Sequence, residues 1–178
     1  MEAEISVAVG IVLERRESSN RWLDHVWEPI AVIPDAPATV GWQVLREESG
    51  YTQFHYAPVS VTLHRKLGEA YDANVETEQP SLWVMLDDAD ADPVPFTLRG
   101  VTADPYEAQG MLDAGEGLVE RLPMPEPMVA WMADFLKQMP EPEKFRKRKR
   151  TSSKPEEQQF GKDPIFAPGG RRPGGSGS

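Results

Sequence analysis

The acidic segment DDADAD has the residue types and spacing closest to those of a metal site. Asp88, Asp90 and Asp92 alternate as the first three carboxylates of an EF-hand calcium loop do. The later positions do not fit that loop, because its sixth residue would be Pro93 in place of glycine and its twelfth would be Arg99 in place of a bidentate glutamate. We therefore predict a solvated acidic turn after a strand at this place.

Histidine, cysteine and the common catalytic motifs offer little further chemistry. The three histidines, His25, His55 and His64, are never two or four residues apart, so no pair has the spacing that directs two ligands to one metal ion from a strand or a helix. Cysteine is absent, which excludes disulfides, thiolate zinc sites, iron–sulfur ligation by this chain and thiol nucleophiles. The sequence also has no G-x-S-x-G elbow and no glycine-rich phosphate-binding loop. We expect no catalytic residues, no metal site and no cofactor.

A run of basic residues, KFRKRKR, is the most conspicuous feature of the chain. It comprises Lys144, Phe145, Arg146, Lys147, Arg148, Lys149 and Arg150. Residues 140–178 carry ten Lys and Arg against five Asp and Glu, a net charge of +5, whereas residues 1–139 carry nine against 24, a net charge of −15. An acidic body with a basic tail favours an arm that contacts a partner over a compact nucleic-acid-binding domain, whose basic residues lie on the folded part.

Alternating apolar residues predict the strands that would position these groups. The predicted strands cover residues 5–13, 21–33, 42–48, 53–65, 81–86, 94–101 and 118–122. Pro29 cannot donate to a ladder, so we expect an edge position or a bulge in the second strand. In the fourth strand the apolar side chains change from even to odd positions after Ala57, which predicts a bulge at Pro58 that keeps them all on the core side.

The clearest predicted helix lies between Pro123 and Met139. Its apolar side chains share one face, which indicates a core helix more than a docking surface, and Pro127 suits its first turn. The apolar face consists of Met128, Val129, Trp131, Met132, Phe135, Leu136 and Met139.

Two shorter segments before it have some helical character. Residues 66–78 have apolar side chains at helical spacing, but Gly68 and Asn74 disfavour a helix there. Pro105–Gln109 is predicted to form one helical turn, with Asp104 placed to cap it.

These elements predict an α+β fold that is mainly antiparallel β. We expect a sheet or partly open barrel of about six or seven strands with one C-terminal amphipathic helix. The predicted domains are a β-rich globular body over residues 1–139 and a basic, Pro/Gly-rich, disordered tail over residues 140–178. No apolar run approaches the length of about 20 residues that spans a bilayer, and the acidic N-terminus MEAE does not fit a signal peptide. We therefore expect a cytoplasmic protein without membrane insertion.

The order of loop, turn, helix and basic run resembles a proteobacterial domain-of-unknown-function family, DUF3305. Its members have a Y-E-A-Q loop, a V-P-M-P-like turn, a helix that contains tryptophan and an F-x-K-R-K-R run. These features match Tyr106–Gln109, Leu122–Pro125, the helix around Trp131 and Phe145–Arg150. The resemblance covers about residues 5–150 and does not extend to the tail beyond.

The resemblance implies a role beside molybdenum enzymes. Genes of such proteins tend to lie next to those of molybdenum-dependent formate dehydrogenases and their maturation chaperones. It thus implies a non-enzymatic accessory factor for a formate dehydrogenase, active in assembly, in cofactor insertion or as a stabilising subunit. The expected protein partner is the dehydrogenase or its maturation machinery. The residues expected to contact it are Lys144 to Arg150 together with Tyr106, Glu107 and Gln109.

Two alternative functions stay open. The basic tail is also typical of a nucleic-acid- or nucleotide-binding module, although the acidic body disfavours one. Members of the family are sometimes labelled molybdopterin-guanine dinucleotide biosynthesis protein A, which suggests a molybdenum-cofactor nucleotidyltransferase. Such an enzyme has a glycine-rich nucleotide-binding loop with a basic residue at its start, and this chain has no such stretch. The sequence also leaves open the contacting face, any contact with molybdopterin, the oligomeric state, and whether the chain is a permanent subunit or a transient factor.

Overall fold

The computed structural model describes residues 3–139. These residues form the strands β1 (Glu4–Glu17), β2 (His25–Pro34), β3 (Gln43–Glu48), β4 (Tyr51–His64), β5 (Ser81–Asp88), β6 (Phe96–Thr102) and β7 (Leu118–Pro123). The α-helices are α1 (Gly68–Val75), α2 (Pro105–Ala114) and α3 (Glu126–Lys137), and a short 3-10 helix, Arg65–Leu67, precedes α1. None of the helices in this part of the chain has the length and apolar character that a membrane span requires.

The strands pair antiparallel and form two sheets. The larger sheet has the order β2-β1-β4-β3 and the smaller has the order β6-β5-β7. Among the described strands, neither sheet closes into a barrel. The predicted α+β fold with mainly antiparallel strands is therefore confirmed, and α1 and α2 add to the predicted C-terminal helix. The predicted tail over residues 140–178 lies outside the described residues, so the division into two domains stays a prediction.

A bulge in β4 keeps its apolar side chains on one side of the sheet. Val9 of β1 pairs with Val59, whereas Ile11, two residues later, pairs with Tyr56, three residues earlier. The extra residue of β4 lies around Pro58, where the sequence pattern predicted it. Apolar side chains on both sides of this bulge are buried, because the added residue restores their direction toward the core.

β2 is an edge strand and contains a second bulge. Val12 pairs with Ala31, but the next residue, Leu13, pairs with Pro29, so Ile30 has no partner in β1. The proline therefore lies both on an outer strand and beside a bulge, which are the two situations that its missing N–H allows. Both predicted situations are found.

The core lies between the two sheets and is closed by α1 and α3. Met128, Met132 and Phe135 of α3 are buried, so the apolar face of this helix belongs to the core, as predicted. Each large apolar side chain buried in this way stabilises the fold by about 1.5–3 kcal/mol. The ring of Phe135 packs edge-on against Tyr71 of α1, with 6.4 Å between the ring centroids.

Two polar side chains of α1 connect this helix to both sheets. Asn74 is 2% exposed; its amide group donates to the carbonyls of Ser81 (2.8 Å) and Ala103 (2.9 Å), and its oxygen accepts the N–H of Ser81 (2.9 Å). Tyr71 is also buried, and its hydroxyl accepts the backbone N–H of His64 in β4 (2.9 Å). Burial raises the pKa of Tyr71. Asn74 thus binds α1 to the smaller sheet, and Tyr71 binds it to the larger one.

Replacement of Asn74 by aspartate should lower the free energy of unfolding by about 3 kcal/mol or more at neutral pH, because a buried carboxylate would face two carbonyl oxygens that now accept N–H groups. Urea unfolding followed by circular dichroism measures this loss. The loss should shrink in acid, since a protonated carboxyl regains one donor.

Asn20→Asp is the matched control for this variant. Asn20 is exposed, and its side-chain oxygen accepts the N–H of Trp22 (3.0 Å), which a carboxylate can also accept. Equal stability of Asn20→Asp and Asn74→Asp would contradict the proposed role of Asn74.

Candidate functional site

The predicted helical turn over Pro105–Gln109 is the beginning of a longer helix, α2. The carboxylate of Asp104 accepts the backbone N–H of Tyr106 (2.9 Å), and proline lies in the first turn, so the predicted cap is confirmed. The predicted length of one turn was wrong. The helix continues to Ala114 and ends at Gly115, whose φ of 70° gives a left-handed C-terminal cap.

α2 presents the three predicted contact residues of this segment to solvent. Tyr106, Glu107 and Gln109 are all exposed, Tyr106 to 65%. Tyr106 lies opposite Ala108, which is buried and holds the helix against the body. The side chain of Gln109 donates to Asp113 one turn later (2.8 Å). α2 has two acidic residues and no basic one, so this surface is negative as well as partly apolar.

Gly110 lies beside Tyr106 on the exposed face of α2. A Cβ atom built on this glycine meets no atom within 4 Å, so packing within the described chain does not require glycine here. Glycine inside a helix costs about 1 kcal/mol relative to alanine. Leu112, on the flank of the same helix, is 51% exposed.

The basic run, residues 144–150, is the other part of the predicted contact set. It lies outside the described residues. Its contact with a partner, and its relation to α2, stay predictions.

An aromatic cleft between the two sheets is a second candidate site. Its volume is about 610 Å³, a size typical of ligand sites. Its aromatic lining consists of Trp42 before β3, Tyr56 of β4 and Phe96 of β6. The rings of Trp42 and Tyr56 have centroids 5.4 Å apart. The indole N–H of Trp42 donates to the carbonyl of Phe96 (3.1 Å), which fixes the indole ring.

Open strand edges run along the aromatic cleft. β6 is the outer strand of the smaller sheet, and its residues 96–100 line the cleft. β4 pairs with β3 only over residues 51–55, so within residues 3–139 no strand covers that side of β4 from Pro58 onward. Backbone N–H and C=O groups along such edges can pair with an added strand.

Two charged residues, Asp92 and Arg99, line the aromatic cleft. Arg99 donates to both carboxylate oxygens of Asp87 (2.8 and 3.2 Å), so its charge is balanced. Asp92 is exposed and has neither an ion pair nor a hydrogen bond to another described residue. The hydroxyl of Tyr56 likewise has no hydrogen-bond partner in the described part of the chain. The lining therefore has one unbalanced negative charge.

The histidines lie on two strands, one on β2 and two nine residues apart on β4. His25 begins β2, His55 lies within β4, and His64 ends β4, where its Nδ1 is 3.1 Å from a carboxylate oxygen of Glu4. Among the residues that the structure describes, no three His, Cys, Asp or Glu side chains are grouped so that they could hold a metal ion. Asp87 and Asp88 end β5, and the rest of the acidic segment follows as a bend, so the predicted turn begins two residues later than expected.

One glutamate of the described body has a shifted pKa. Burial raises the pKa of Glu120 in β7, and the negative charge of Glu28 in β2 raises it further. Glu28 also accepts from Arg16 (2.6 Å). Because the folded state favours the protonated form of Glu120, this residue destabilises the fold as the pH rises above the ordinary glutamate range. It does not line the aromatic cleft.

The loop before Trp42 is held by the bulge of β4. The N–H of Thr39 donates to the carbonyl of Ala57 (2.8 Å), and the hydroxyl of Thr39 accepts the N–H of Ala57 (3.1 Å). The loop passes so close to β1 that a Cβ atom on Gly10 would lie 2.5 Å from the Cβ atom of Ala36. The bulge and this glycine together place Trp42 at the aromatic cleft.

Sequence reasoning did not find the aromatic cleft. Its rings come from positions 42, 56 and 96, and non-local strand pairing brings them together. The one available signal was the predicted bulge at Pro58 next to the aromatic Tyr56. A bulge indicates that the two halves of β4 can have different neighbours.

The comparisons with known proteins identify one family. The model of a family described as protein of unknown function (DUF3305) matches residues 8–149. No curated protein and no solved structure matches the chain. The match covers α2, the aromatic cleft and most of the basic run.

Replacement of Gly10 by alanine should lower the free energy of unfolding by about 1–3 kcal/mol, because the new methyl group overlaps Ala36 and the loop or the strand must move. Thermal and urea unfolding measure the change. The second substitution Ala36→Gly should recover part of the loss.

Gly100→Ala in β6 is the control for this variant. A Cβ atom there would lie 3.8 Å from a Met85 side-chain atom, which is ordinary contact, so little loss is expected. A Gly10→Ala variant as stable as Gly100→Ala would show that the loop is not held against β1 as described.

Proposed function

Because the chain belongs to the DUF3305 family, we propose that it is a non-enzymatic accessory factor that acts by binding another protein. The observation that carries this proposal is the exposed face of α2. An exposed tyrosine on a fixed helix is typical of protein interfaces, where aromatic residues contribute much of the binding energy. Tyr106 has this position, and its helix is held by the Asp104 cap and by buried contacts.

Gly110 supports a contact at the same place. Alanine there would stabilise the helix without a clash, so the glycine has a cost that the described chain does not explain. A partner that packs closely against Tyr106 and Gly110 would explain it, because only glycine leaves room for such an approach.

We propose a molybdenum-dependent formate dehydrogenase, or its maturation machinery, as the partner. This choice rests on the resemblance to proteins whose genes lie beside those of such enzymes. The contact would serve assembly, cofactor insertion or the stability of the mature enzyme. The negative charge of α2 favours a partner surface that is positive and partly apolar.

The variants Tyr106→Ala and Gly110→Gln should each weaken recovery of formate dehydrogenase from the native host by about tenfold, because they remove an exposed anchor or fill the space beside it. The measurement is affinity purification of the tagged full-length chain, with identification of the proteins that co-purify.

Trp22→Ala is the control for these two variants. Trp22 is 82% exposed, but it lies in the turn between β1 and β2. Recovery that falls equally in all three variants would contradict a contact at α2. If the unmodified chain recovers no formate dehydrogenase, the proposed partner is wrong.

The basic run is proposed to contact an acidic part of the same partner. Substitution of Lys147, Arg148, Lys149 and Arg150 by alanine should lower recovery at low salt and make the remainder less sensitive to salt, because exposed charges are screened as ionic strength rises. Unchanged recovery of the enzyme by this variant would exclude a role of the run in binding. Tight, sequence-selective binding of nucleic acid by the unmodified chain in a filter assay would favour the nucleic-acid alternative instead.

A further inference from the structure

We propose that the aromatic cleft binds an extended segment of a partner protein through an arginine or lysine side chain of that segment. This inference rests on the proposed role as a protein-binding factor, but it concerns a surface separate from the exposed face of α2. The cleft combines an aromatic lining, one unbalanced carboxylate and an open strand edge.

The lining of the cleft fits a cationic side chain. Tyrosine and tryptophan rings attract ammonium and guanidinium groups, and Trp42 and Tyr56 lie next to each other in the cleft. Asp92 adds a negative charge that no described residue balances. The apolar stem of arginine or lysine can pack against Leu98, which also lines the cleft, while its charged end meets the rings and the carboxylate.

The open edge of β6 fits an extended backbone. Residues 96–100 follow one another along the cleft. The carbonyl of Phe96 already accepts from Trp42, so an added segment would form main-chain hydrogen bonds with the residues after Phe96. The backbone contact would supply affinity for any extended segment, and the aromatic, negatively charged pocket would select segments with a cationic side chain.

The same charges disfavour an anionic ligand. Asp92 would repel a phosphate or a carboxylate. Arg99, the cationic side chain of the lining, donates from its Nε and one terminal nitrogen to Asp87, so the Asp87 carboxylate offsets its charge. A nucleotide or an acidic peptide would therefore meet the negative charge of Asp92 and, among the described residues of the cleft, a positive group that is already ion-paired.

Synthetic peptides test the proposal on the full-length chain. The probe is a fluorescent ten-residue peptide of alternating threonine and serine with one central arginine. Its controls have citrulline, which is isosteric but neutral, or glutamate in place of arginine, and a fourth peptide has alternate backbone nitrogens methylated. Fluorescence anisotropy should show binding that weakens about tenfold with citrulline and is lost with glutamate or with the methylated backbone.

Substitutions and NMR place the bound peptide. Asp92→Asn should weaken binding of the arginine peptide by about threefold, whereas Asp24→Asn, which removes an equal charge from the turn between β1 and β2, should leave it unchanged. Both aspartates are exposed, so both variants should fold. In the 15N-labelled chain, the indole N–H signal of Trp42 should move more on peptide addition than those of the other four tryptophans.

Three results would overturn the proposal: equal binding of the arginine and citrulline peptides, equal effects of Asp92→Asn and Asp24→Asn, or an unmoved Trp42 signal. Binding seen only when Lys147, Arg148, Lys149 and Arg150 are alanine would assign the cleft to the chain's own basic run, which also contradicts a partner segment. These readouts need no formate dehydrogenase. Failure here therefore differs from failure to recover the enzyme, which tests the proposed function.

Discussion

The hydrogen bonds of Asn74 are the interaction on which the arrangement of this fold depends. Over residues 3–139, no strand of the smaller sheet pairs with one of the larger sheet, so side chains must set how the two sheets lie relative to each other. Asn74 joins α1 to Ser81 at the start of β5 and to Ala103 directly after β6, both in the smaller sheet or next to it. Tyr71 joins the same helix to His64 of the larger sheet. Two residues one turn apart on a short helix thus connect it to both sheets. Because both side chains are buried, removing one partner of such a hydrogen bond leaves the other unsatisfied and lowers the free energy of unfolding.

Both candidate binding surfaces follow from this arrangement. The carbonyl of Ala103, which accepts from Asn74, lies directly before Asp104, the residue that caps α2. The same contact therefore sets where α2 begins and which way Tyr106 points. The aromatic cleft lies between β4 and β6, one from each sheet, so its width also depends on the helix that holds the sheets together. The local sequence pattern determines the strands and helices, and a few buried polar contacts determine how these elements are arranged and which surfaces they expose.

The sequence predicted the strands and helices better than the tertiary contacts between them. Period-two patterns located the strands. The change of apolar side chains from even to odd positions predicted the bulge at Pro58, and the missing N–H of Pro29 predicted an edge position or a bulge, because these constraints are local. The length of α2 was missed, since Gly110 weakens its pattern and packing compensates. By helix propensity Asn74 argued against α1, yet its tertiary hydrogen bonds outweigh that preference. The aromatic cleft was invisible for the same reason: its rings meet only after non-local strand pairing.

The charges of the chain constrain any partner it binds. α2 and the aromatic cleft are both negative, and they belong to a body with a net charge of −15 over residues 1–139, while the tail over residues 140–178 has a net charge of +5. A partner that contacts either surface of the body must present positive groups there, and one that contacts the basic run must present negative groups. A single partner that binds both the body and the basic run would need a positive region for the body and a separate negative region for the run. Because like charges placed opposite each other are repelled, this pattern would fix the orientation of the complex as well as its specificity.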